Sequence, residues 1–260
     1  MTRYAAVVEY DGAMYHGWQL QSSLPTIQGE MELALERILG RAVRVYGAGR
    51  TDAGVHAVGQ VAHFDADWKH PVSSLKNACN ALLPPDIAVR SMRQASNDFH
   101  ARHRAISKTY VYRILNSNLR SPLHRLYAWH VPCELDLSLM AEASMNLTGA
   151  HDFAAFGSAT DGTPSTVREI MDAHWDREHL GPVLVFTVRG SGFLRYMVRS
   201  LVGTLVQVGT GKIGPSDFLA ILQSRDRSRS GPTAPPHGLC LHSVEYAPEE
   251  SEAFDAVSSM

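Results

Sequence analysis

A glycine-framed loop in the first quarter of the chain decides both the fold and the site. Its residues are Gly49-Arg50-Thr51-Asp52-Ala53-Gly54-Val55-His56. Glycine frees the backbone to turn sharply and lets other groups approach closely. A loop of this composition between two strands can therefore present Asp52 to a cleft. The alternative is a surface turn in which the aspartate binds its own backbone.

Alternating and helical patterns follow one another around this loop. The predicted order is strand, helix, strand, strand, helix, strand, which is typical of a ferredoxin-like sheet. The four strands are predicted at residues 3–10, 43–46, 58–64 and 87–93. Thr26 is the predicted N-cap of the first helix, and Gly40 ends it. Pro71 begins the second helix, whose predicted inward stripe is Val72, Leu75, Cys79 and Leu82.

The second half also mixes strands and helices. Residues 105–115 alternate as a strand, with Lys108, Tyr110 and Tyr112 on one face. Asp136 caps a helix, residues 167–175 and 183–189 form a hairpin around Gly181-Pro182, and 215–223 form a helix. Residues 190–192 are predicted to open a long helix with Arg195 and Arg199 on one face. Residues 161–164 and 225–238 are predicted loops, and residues 239–246 a final strand.

Length and composition favour a globular protein with a sizeable core. The chain has 260 residues, of which 45% are hydrophobic and 19% charged, so one large domain or two small ones fit. We find no run of about 18 apolar residues, so no membrane span is expected. The N-terminus runs directly into a strand pattern without a signal-peptide core. These features predict a soluble cytoplasmic protein.

The cysteines and histidines do not form a recognisable framework. Cys79, Cys133 and Cys240 are far apart, and no CxxC pair occurs, so buried, reduced thiols are predicted. His100 and His103 lack further ligands at a metal-binding spacing. We therefore expect no metal site.

The small net charge of −2 conceals an uneven distribution. Residues 90–125 carry seven arginines and one lysine against Asp98 alone, and residues 180–216 carry four bases without an acid. The tail from Glu249 to Asp255 holds four acids. Arginine suits bidentate phosphate contacts and stacking on bases, so a basic surface for nucleic acid is predicted. Arg102, Arg104 and Lys108 are its candidate RNA contacts, although solvated faces and internal ion pairs are the simpler alternative.

Two nucleotide-binding motifs are incomplete in this sequence. The segment 47–52 resembles GxGxx, but Asp52 occupies the position of the third glycine and a strand pattern follows where a helix is required. Gly211-Lys212 suggests a P-loop, but Val206 replaces the leading glycine and Ile213 replaces the residue that would bind magnesium. Both motifs are rejected. What remains is an aspartate that can lie beside a cation. Such an aspartate stays ionised and can act as a nucleophile.

The loop resembles the signature of the TruA family of tRNA pseudouridine synthases. Further stretches that resemble the family follow in the expected order. They are Tyr10-Asp11-Gly12, Trp18-Gln19, Thr26-Ile27-Gln28-Gly29-Glu30, Phe99-His100-Ala101-Arg102, Lys108-Thr109-Tyr110-Val111-Tyr112, His151-Asp152-Phe153, Thr166-Val167-Arg168, Met197-Val198-Arg199 and Gly238-Leu239-Cys240-Leu241. The resemblance covers residues 3–247. Cys240 stands where the family often has tyrosine.

The resemblance implies an enzyme that isomerises uridine to pseudouridine without metal or cofactor. Asp52 would be the catalytic carboxylate and Arg199 its cationic partner. Tyr110 would stack on the target base, and Arg50 would help to extrude the target nucleotide. The substrate would be the anticodon arm of tRNA, at positions 38, 39 and 40, and the enzyme would be a homodimer.

The same resemblance implies a pseudouridine synthase fold. Two ferredoxin-like α+β halves with antiparallel sheets would flank a central catalytic cleft. Residues 1–104 would carry the aspartate loop, and residues 105–247 the tyrosine strand and the arginine helix. Residues 248–260 would form an acidic, disordered tail.

Two other functions stay open on the sequence alone. A non-catalytic tRNA-binding or chaperone protein on the same fold would explain the arginine distribution. A nucleotide-dependent oxidoreductase would explain the incomplete glycine motif.

Overall fold

A computed structural model of the chain describes residues 1–159, 165–178 and 181–248. Within them lie ten strands and five α-helices, which confirms the predicted α+β class. The elements are β1 (Thr2–Tyr10), α1 (Ile27–Leu39), β2 (Tyr46–Gly47), β3 (His56–Ala66), α2 (Val72–Leu82), β4 (Ile87–Ala95), β5 (Ser107–Asn116), β6 (Trp129–Val131), α3 (Leu137–Met145), β7 (Gly149–Asp152), β8 (Val167–Arg177), β9 (Val183–Gly190), α4 (Met197–Gly209), α5 (Pro215–Ser224) and β10 (Leu239–Glu245). The loop predicted at 161–164 and the acidic tail from Glu249 lie outside the described residues.

The chain divides into two compact units. Among the described residues, the first unit comprises 1–107 and 241–248, and the second lies within 108–240. In the first unit, the strand order is β4, β1, β3, β10, and β2 also pairs with β3. Strand β1 is antiparallel to both β3 and β4. One core cluster of this unit consists of buried residues from β1, β3 and the 99–101 segment, together with Tyr246.

Glu245 and Tyr246 are held in the first unit by specific contacts. The Tyr246 hydroxyl donates to the Ala101 carbonyl oxygen at 2.7 Å, and the Ile106 N–H donates to the Glu245 carbonyl oxygen at 2.8 Å. Tyr246 is 5% exposed, and its ring lies 5.2 Å from the Phe99 ring in a tilted contact. Residues that follow the second unit in the sequence therefore complete the core of the first unit.

Helix α1 begins and ends as its sequence predicts. The Thr26 side chain accepts the Gly29 N–H, and Gly40 closes the helix with φ of 68°. Such a left-handed residue at the C-terminus is the position that favours glycine. Ile27, Met31 and Leu35 are buried on its inner face.

Two predictions in the first unit are wrong. Residues 43–46 are not a strand: only Tyr46–Gly47 pairs with β3. The Val45 N–H donates to the Glu32 carboxylate and its carbonyl accepts from the Gln28 amide, both at 3.0 Å, so side chains of α1 take the groups that a sheet would pair. In α2, Leu75 and Cys79 are buried, but Leu82 is 41% exposed because the helix ends there, and Leu83 is buried instead.

The second unit has the strand order β5, β9, β8, β7. Its neighbouring strands are antiparallel, and the short strand β6 pairs with β5 in parallel. Helix α3 starts at the predicted cap Asp136, whose side chain accepts the Ser138 and Leu139 N–H groups. Helices α3, α4 and α5 pack on one another, and α3 contacts β8. The predicted hairpin of β8 and β9 is confirmed by their pairing.

Helix α4 begins later than predicted. It starts at Met197, not at the glycines of 190–192, because Tyr196 has φ of 64°, a left-handed conformation that a helix interior does not contain. Phe193 and Arg195 therefore precede the helix, and Arg195 and Arg199 do not share one of its faces as predicted. Most of the helix is buried, as expected for a central element of a core.

The three cysteines are free, but they are not all buried as predicted. Cys79 and Cys240 are buried, whereas Cys133 is exposed, because it lies in the loop between β6 and α3. Burial raises the pKa of Cys79 to about 11, so its thiol is protonated at neutral pH. In the part of the chain that the structure describes, no helix is long and apolar enough to cross a membrane.

Candidate active site

Main-chain hydrogen bonds hold the Asp52 loop in the first unit against the segment 12–18. The Trp18 N–H donates to the Thr51 carbonyl at 3.1 Å, and the Gly54 N–H donates to the Tyr15 carbonyl at 3.2 Å. Within the loop, the Val55 N–H donates to the Asp52 carbonyl at 3.1 Å. The peptide units on both sides of Asp52 are thereby fixed, which pre-orients its carboxylate.

Two glycines of the segment 12–18 allow its backbone to lie directly against the Asp52 loop. A Cβ atom placed on Gly12 would lie 2.0 Å from the Val55 carbonyl oxygen, and one on Gly17 would lie 2.3 Å from the Thr51 carbonyl oxygen. Gly17 also has φ of 88°. No side chain fits at either position, so the two backbones are in direct contact.

Buried polar side chains complete the support of the loop. The hydroxyls of Tyr10 and Thr51 form a buried hydrogen bond of 2.9 Å. The Gln60 side chain brackets Gly49, accepting its N–H at 3.2 Å and donating to its carbonyl at 2.7 Å. His56 Nδ1 accepts the Gly12 N–H at 3.1 Å. These bonds satisfy backbone groups that would otherwise be buried without partners.

Burial alternates along the loop. Thr51 and Val55 are buried, Asp52 is half-buried, and Arg50 is exposed. The aspartate is therefore held by a buried framework while its side chain keeps access to solvent. An acid in this setting can serve as a nucleophile or as a base.

A pocket of about 330 Å³ lies beside the loop and entirely within the first unit. Its lining is Trp18, Gln19, Gln28, Arg44, Val45, Tyr46, Gly47, Arg50, His100, Arg102 and His103. Of the predicted site residues, Arg50 and Arg102 both line it. Three arginines, Arg44, Arg50 and Arg102, give this pocket a cationic wall that suits an anionic ligand.

A row of aromatic rings borders the pocket. Tyr46 stacks on His63, which lies behind the lining, with ring centroids 5.1 Å apart. The His63, His100 and His103 rings follow in tilted contacts, with centroid distances of 4.5 Å and 4.2 Å. Burial, together with the charges of His100 and Arg3, lowers the pKa of His63 to about 4. Burial and then the neighbouring His103 lower the pKa of His100. Both rings are therefore neutral at pH 7.

The other predicted RNA contacts are elsewhere. Arg104 is exposed and forms an ion pair with Asp98, so its charge is partly compensated. Lys108 is half-buried in the second unit, where it lies opposite Gly190 in the sheet.

Tyr110 lies on strand β5 of the second unit. It pairs with Val188 across β5 and β9, and it is 7% exposed. The edge of its ring meets Phe193 at a centroid distance of 5.0 Å and an angle of 82°. The tyrosine ring is thus fixed in orientation by its strand and by this aromatic contact.

Arg199 lies in the first turns of α4 and is half-buried. Its Nε–H donates to the Ala234 carbonyl at 2.8 Å, and its guanidinium lies 5.4 Å from the centre of the Tyr196 ring. Arg195 lies 4.7 Å from the same ring and donates to the Tyr196 hydroxyl at 2.7 Å. Tyr196 therefore orders both arginines at the start of the helix.

Sequence reasoning missed several residues around the loop and the pocket. The sequence pattern assigns Tyr46 to a strand and gives it no binding role, and it gives His103 no role beyond a rejected metal site. In the described residues, no group of three or more His, Cys, Asp or Glu side chains could hold a metal ion. The interleaving of aromatic and basic residues in Phe99-His100-Ala101-Arg102 is the signal that could have indicated a nucleic-acid pocket.

Comparison with known proteins assigns the class of this chain. Residues 6–104 and 143–247 match the profile of a family described as tRNA pseudouridine synthase. The chain is 47% identical over 240 residues to the tRNA pseudouridine synthase A of Geotalea daltonii, covering 92% of this chain and 98% of that protein. It is 40% identical over 247 residues to the protein of that name from Streptococcus equi subsp. equi, covering 95% and 99%. The chain therefore belongs to the tRNA pseudouridine synthase family.

This assignment confirms the resemblance inferred from the loop and the nine further stretches. It also confirms the expected class of enzyme, an isomerase that acts on tRNA. Among solved structures, a chain in "Structure of H/ACA RNP bound to a substrate RNA containing 2'-deoxyuridine" is similar at 11% identity, with a TM-score of 0.37, over 78% of this chain and 44% of that chain. That likeness is weak, and the sequence relatives carry the assignment.

Proposed function

We propose that this protein converts uridine to pseudouridine in the anticodon arm of tRNA, at positions 38, 39 and 40, with Asp52 as the catalytic carboxylate. The observation that supports this role is the rigid loop around Asp52, fixed on both sides by main-chain bonds and by the Gly12 and Gly17 contacts. Family membership supplies the reaction.

The reaction is an isomerisation, so no atom is gained or lost overall. The bond between uracil nitrogen 1 and ribose carbon 1′ breaks, the base turns, and uracil carbon 5 bonds to carbon 1′. Asp52 attacks the ribose carbon, attacks the uracil ring, or assists a glycal route. The proton then leaves carbon 5 and nitrogen 1 gains one, which requires a general base.

Three other residues have proposed roles. Tyr110 stacks on the target base, a role supported by the fixed orientation of its ring. Arg199 acts as the cationic partner of Asp52, which is supported by the ordering of its guanidinium by Tyr196 and Ala234. Arg50, an exposed residue of the loop itself, helps to extrude the target nucleotide, a step that costs a few kcal/mol.

The protein is further proposed to act in the cytoplasm, where its tRNA substrate is, and to work as a homodimer. In each chain, residues 1–104 supply the aspartate and residues 105–247 the tyrosine and the arginine. Arg102, Arg104 and Lys108 contribute phosphate contacts. Light scattering at working concentration tests the dimer, and a monomeric mass contradicts it.

Incubation with an unmodified tRNA transcript tests the activity. Pseudouridine is mapped by chemical labelling, and the reaction is followed by release of tritium from uracil carbon 5. We expect Asp52→Asn and Asp52→Ala to abolish turnover while tRNA binding is retained. Asp67→Asn is the matched control, because Asp67 is an exposed aspartate of the same unit outside the loop.

Two results would count against this assignment. Turnover in the Asp52 variants would exclude the carboxylate role. Binding of tRNA by the wild-type protein without any new pseudouridine would favour the non-catalytic alternative. A cycle of Asp52→Asn, Arg199→Gln and both together tests the proposed partnership, because residues that act as a unit show strongly non-additive losses in kcat.

A further inference from the structure

The pocket of the first unit has the size and lining of a subsite for a single nucleotide. Its volume of about 330 Å³ is at the lower end of small-ligand sites. Its lining suits the two parts of a nucleotide: the arginines can bind the phosphate, and an aromatic ring offers a flat surface on which the base can stack. The described lining residues include no aspartate or glutamate that would repel a phosphate.

Tyr46 is the flat surface. One face of its ring is stacked on His63 at an interplanar angle of 19°, yet the residue is 48% exposed. The ring is thus backed by His63 and remains half-exposed, with His100 in a tilted contact at a centroid distance of 6.0 Å. A tyrosine left half-exposed over a buried histidine is a platform of the kind on which splayed RNA bases stack.

The arginines of the pocket lining can bind the phosphate of a nucleotide. Arg50 is exposed, and among the described residues no carboxylate forms an ion pair with its guanidinium; Arg102 lines the same pocket. Arg44 also lines it but lies 3.5 Å from Glu32, so its charge is shared. Arg50 and Arg102 both line the pocket, where their guanidinium groups can contact a phosphate.

The amide group of Gln28 is already occupied. Gln28 donates to Glu32 and to the Val45 carbonyl, and its Oε1 accepts from Gln19 and from the Leu20 N–H. All four hydrogen-bonding positions of this amide are used. Gln28 therefore cannot read the edge of a base without breaking these bonds, and stacking on an aromatic ring tolerates any base.

The position of the pocket relates it to the target. Arg50 is two residues from Asp52, which limits their backbone separation to about 7 Å. Trp18 lines the pocket, and its N–H donates to the Thr51 carbonyl next to Asp52. A nucleotide in the pocket is thus close enough to be the neighbour of one held at Asp52.

We propose that this pocket binds the nucleotide adjacent to the target uridine, with its base stacked on Tyr46 and its phosphate held by Arg50 and Arg102. This inference rests on the proposed function for the identity of the RNA. By gripping a neighbour, the pocket would hold the strand in its unstacked form while the target base is extruded, which lowers the cost of extrusion.

The test combines abasic RNA with variants of Tyr46. Binding is measured for an anticodon-arm RNA with an abasic residue placed in turn at each position flanking the target uridine. In the wild type and in Tyr46→Phe, which keeps the ring, we expect one flanking position at which loss of the base weakens binding about 5- to 100-fold. In Tyr46→Leu we expect the same abasic RNA to bind as the intact RNA does.

A fluorescent base gives a second readout. 2-Aminopurine at the sensitive position should be quenched on binding to the wild type and to Tyr46→Phe, and not on binding to Tyr46→Leu. Thermal unfolding of each variant verifies that it is folded. Replacing the natural base at that position by each of the other three should change the Kd much less than removing it.

Equal abasic penalties in all three proteins, at every position, would overturn the subsite, and so would quenching that survives in Tyr46→Leu. These readouts are of binding, so they are separate from the activity. A wild-type protein that forms no pseudouridine would overturn the proposed function, whereas an abasic penalty that depends on Tyr46 would still support the pocket.

Discussion

Gly17 and Thr51 are in backbone contact: a Cβ atom on Gly17 would lie 2.3 Å from the Thr51 carbonyl oxygen. The contact presses the segment before α1 against the residue that precedes Asp52. Since neither backbone can retreat without breaking the bond from the Trp18 N–H to the Thr51 carbonyl, the geometry of the aspartate depends on a glycine 35 positions away in the sequence.

Gly17→Ala should therefore damage both stability and catalysis. The methyl group collides with Thr51, and φ of 88° is unfavourable for alanine, so we expect a loss of about 3 kcal/mol in the free energy of unfolding. Displacement of Asp52 should lower kcat roughly 100-fold. Denaturant unfolding and single-turnover kinetics measure the two effects.

Gly40→Ala is the control for this substitution. Gly40 has φ of 68°, but its added Cβ would meet nothing within 4 Å. We expect it to lose about 1 kcal/mol through backbone strain alone, with kcat unchanged. If Gly17→Ala retains wild-type kcat, the backbone contact does not position Asp52.

The Tyr10–Thr51 hydrogen bond offers a milder perturbation of the same loop. It is 2.9 Å long and buried, so Tyr10→Phe and Thr51→Val should each cost about 1 kcal/mol. The double variant should cost less than the sum, because the same bond is lost only once. Urea unfolding of the four proteins gives the coupling; strictly additive costs would show that the bond contributes nothing.

His63 should make stability depend on pH. Burial lowers its pKa to about 4 from 6.5, so the unfolded chain binds the proton more readily than the folded one. The stabilisation is present above pH 6.5 and is lost as pH falls towards 4, for a total of about 3 kcal/mol. Unfolding measured between pH 7.5 and 4.5 should show this decline.

His63→Asn isolates the contribution of the imidazole. The asparagine oxygen can still accept the Ala101 N–H that His63 Nδ1 accepts at 3.2 Å, but it does not titrate. The variant should therefore lose less stability than the wild type as pH falls, while His70→Asn, at an exposed position, should follow the wild type. Identical pH slopes for wild type and His63→Asn would contradict the assignment.

Tyr196 is expected to be a positioning residue for Arg199. Tyr196→Gly accepts the φ of 64° without strain but removes the ring beneath the guanidinium, so kcat should fall about 2- to 5-fold without a loss of stability. Tyr196→Phe keeps the ring and should retain kcat. A fall in KM or in stability without a change in kcat would assign Tyr196 a different role.

Binding of tRNA should weaken steeply with salt, because phosphate contacts release counterions. Arg50→Gln and Arg102→Gln should each reduce the slope of log Kd against log salt by about 1. Arg37→Gln changes an exposed arginine of α1 and should leave the slope unaltered. Equal slopes for all four proteins would exclude phosphate contacts in the pocket.

Locally determined features of the fold could be predicted from the sequence. The Thr26 cap, the Gly40 terminus and the Asp136 cap depend on one side chain and the backbone next to it. The start of α4 also has a local cause, the left-handed backbone of Tyr196. The apolar pattern does not reveal it, because Phe193 and Leu194 continue the helical periodicity before the helix begins.

Long-range features could not be predicted in this way. Residues 43–45 look like a strand because Val43 and Val45 are apolar, but Glu32 and Gln28 of a neighbouring helix capture the backbone of Val45. In the candidate site, Asp52 and Arg50 were evident from the glycine frame. The partnership of Tyr46 with His63 joins residues 17 apart whose spacing has no period, so only the structure reveals it.

The closure of the first unit by Tyr246 and Glu245 has a consequence for synthesis. As the chain leaves the ribosome, residues 1–107 emerge long before the residues that cover Ala101 and pair with Ile106. The second unit, residues 108–240, is contiguous and can be finished first. The aspartate loop thus belongs to a unit whose core is completed only after the whole second unit has been synthesised, so a nascent chain that stops short of Leu241 lacks most of the strand that closes the aspartate-bearing unit.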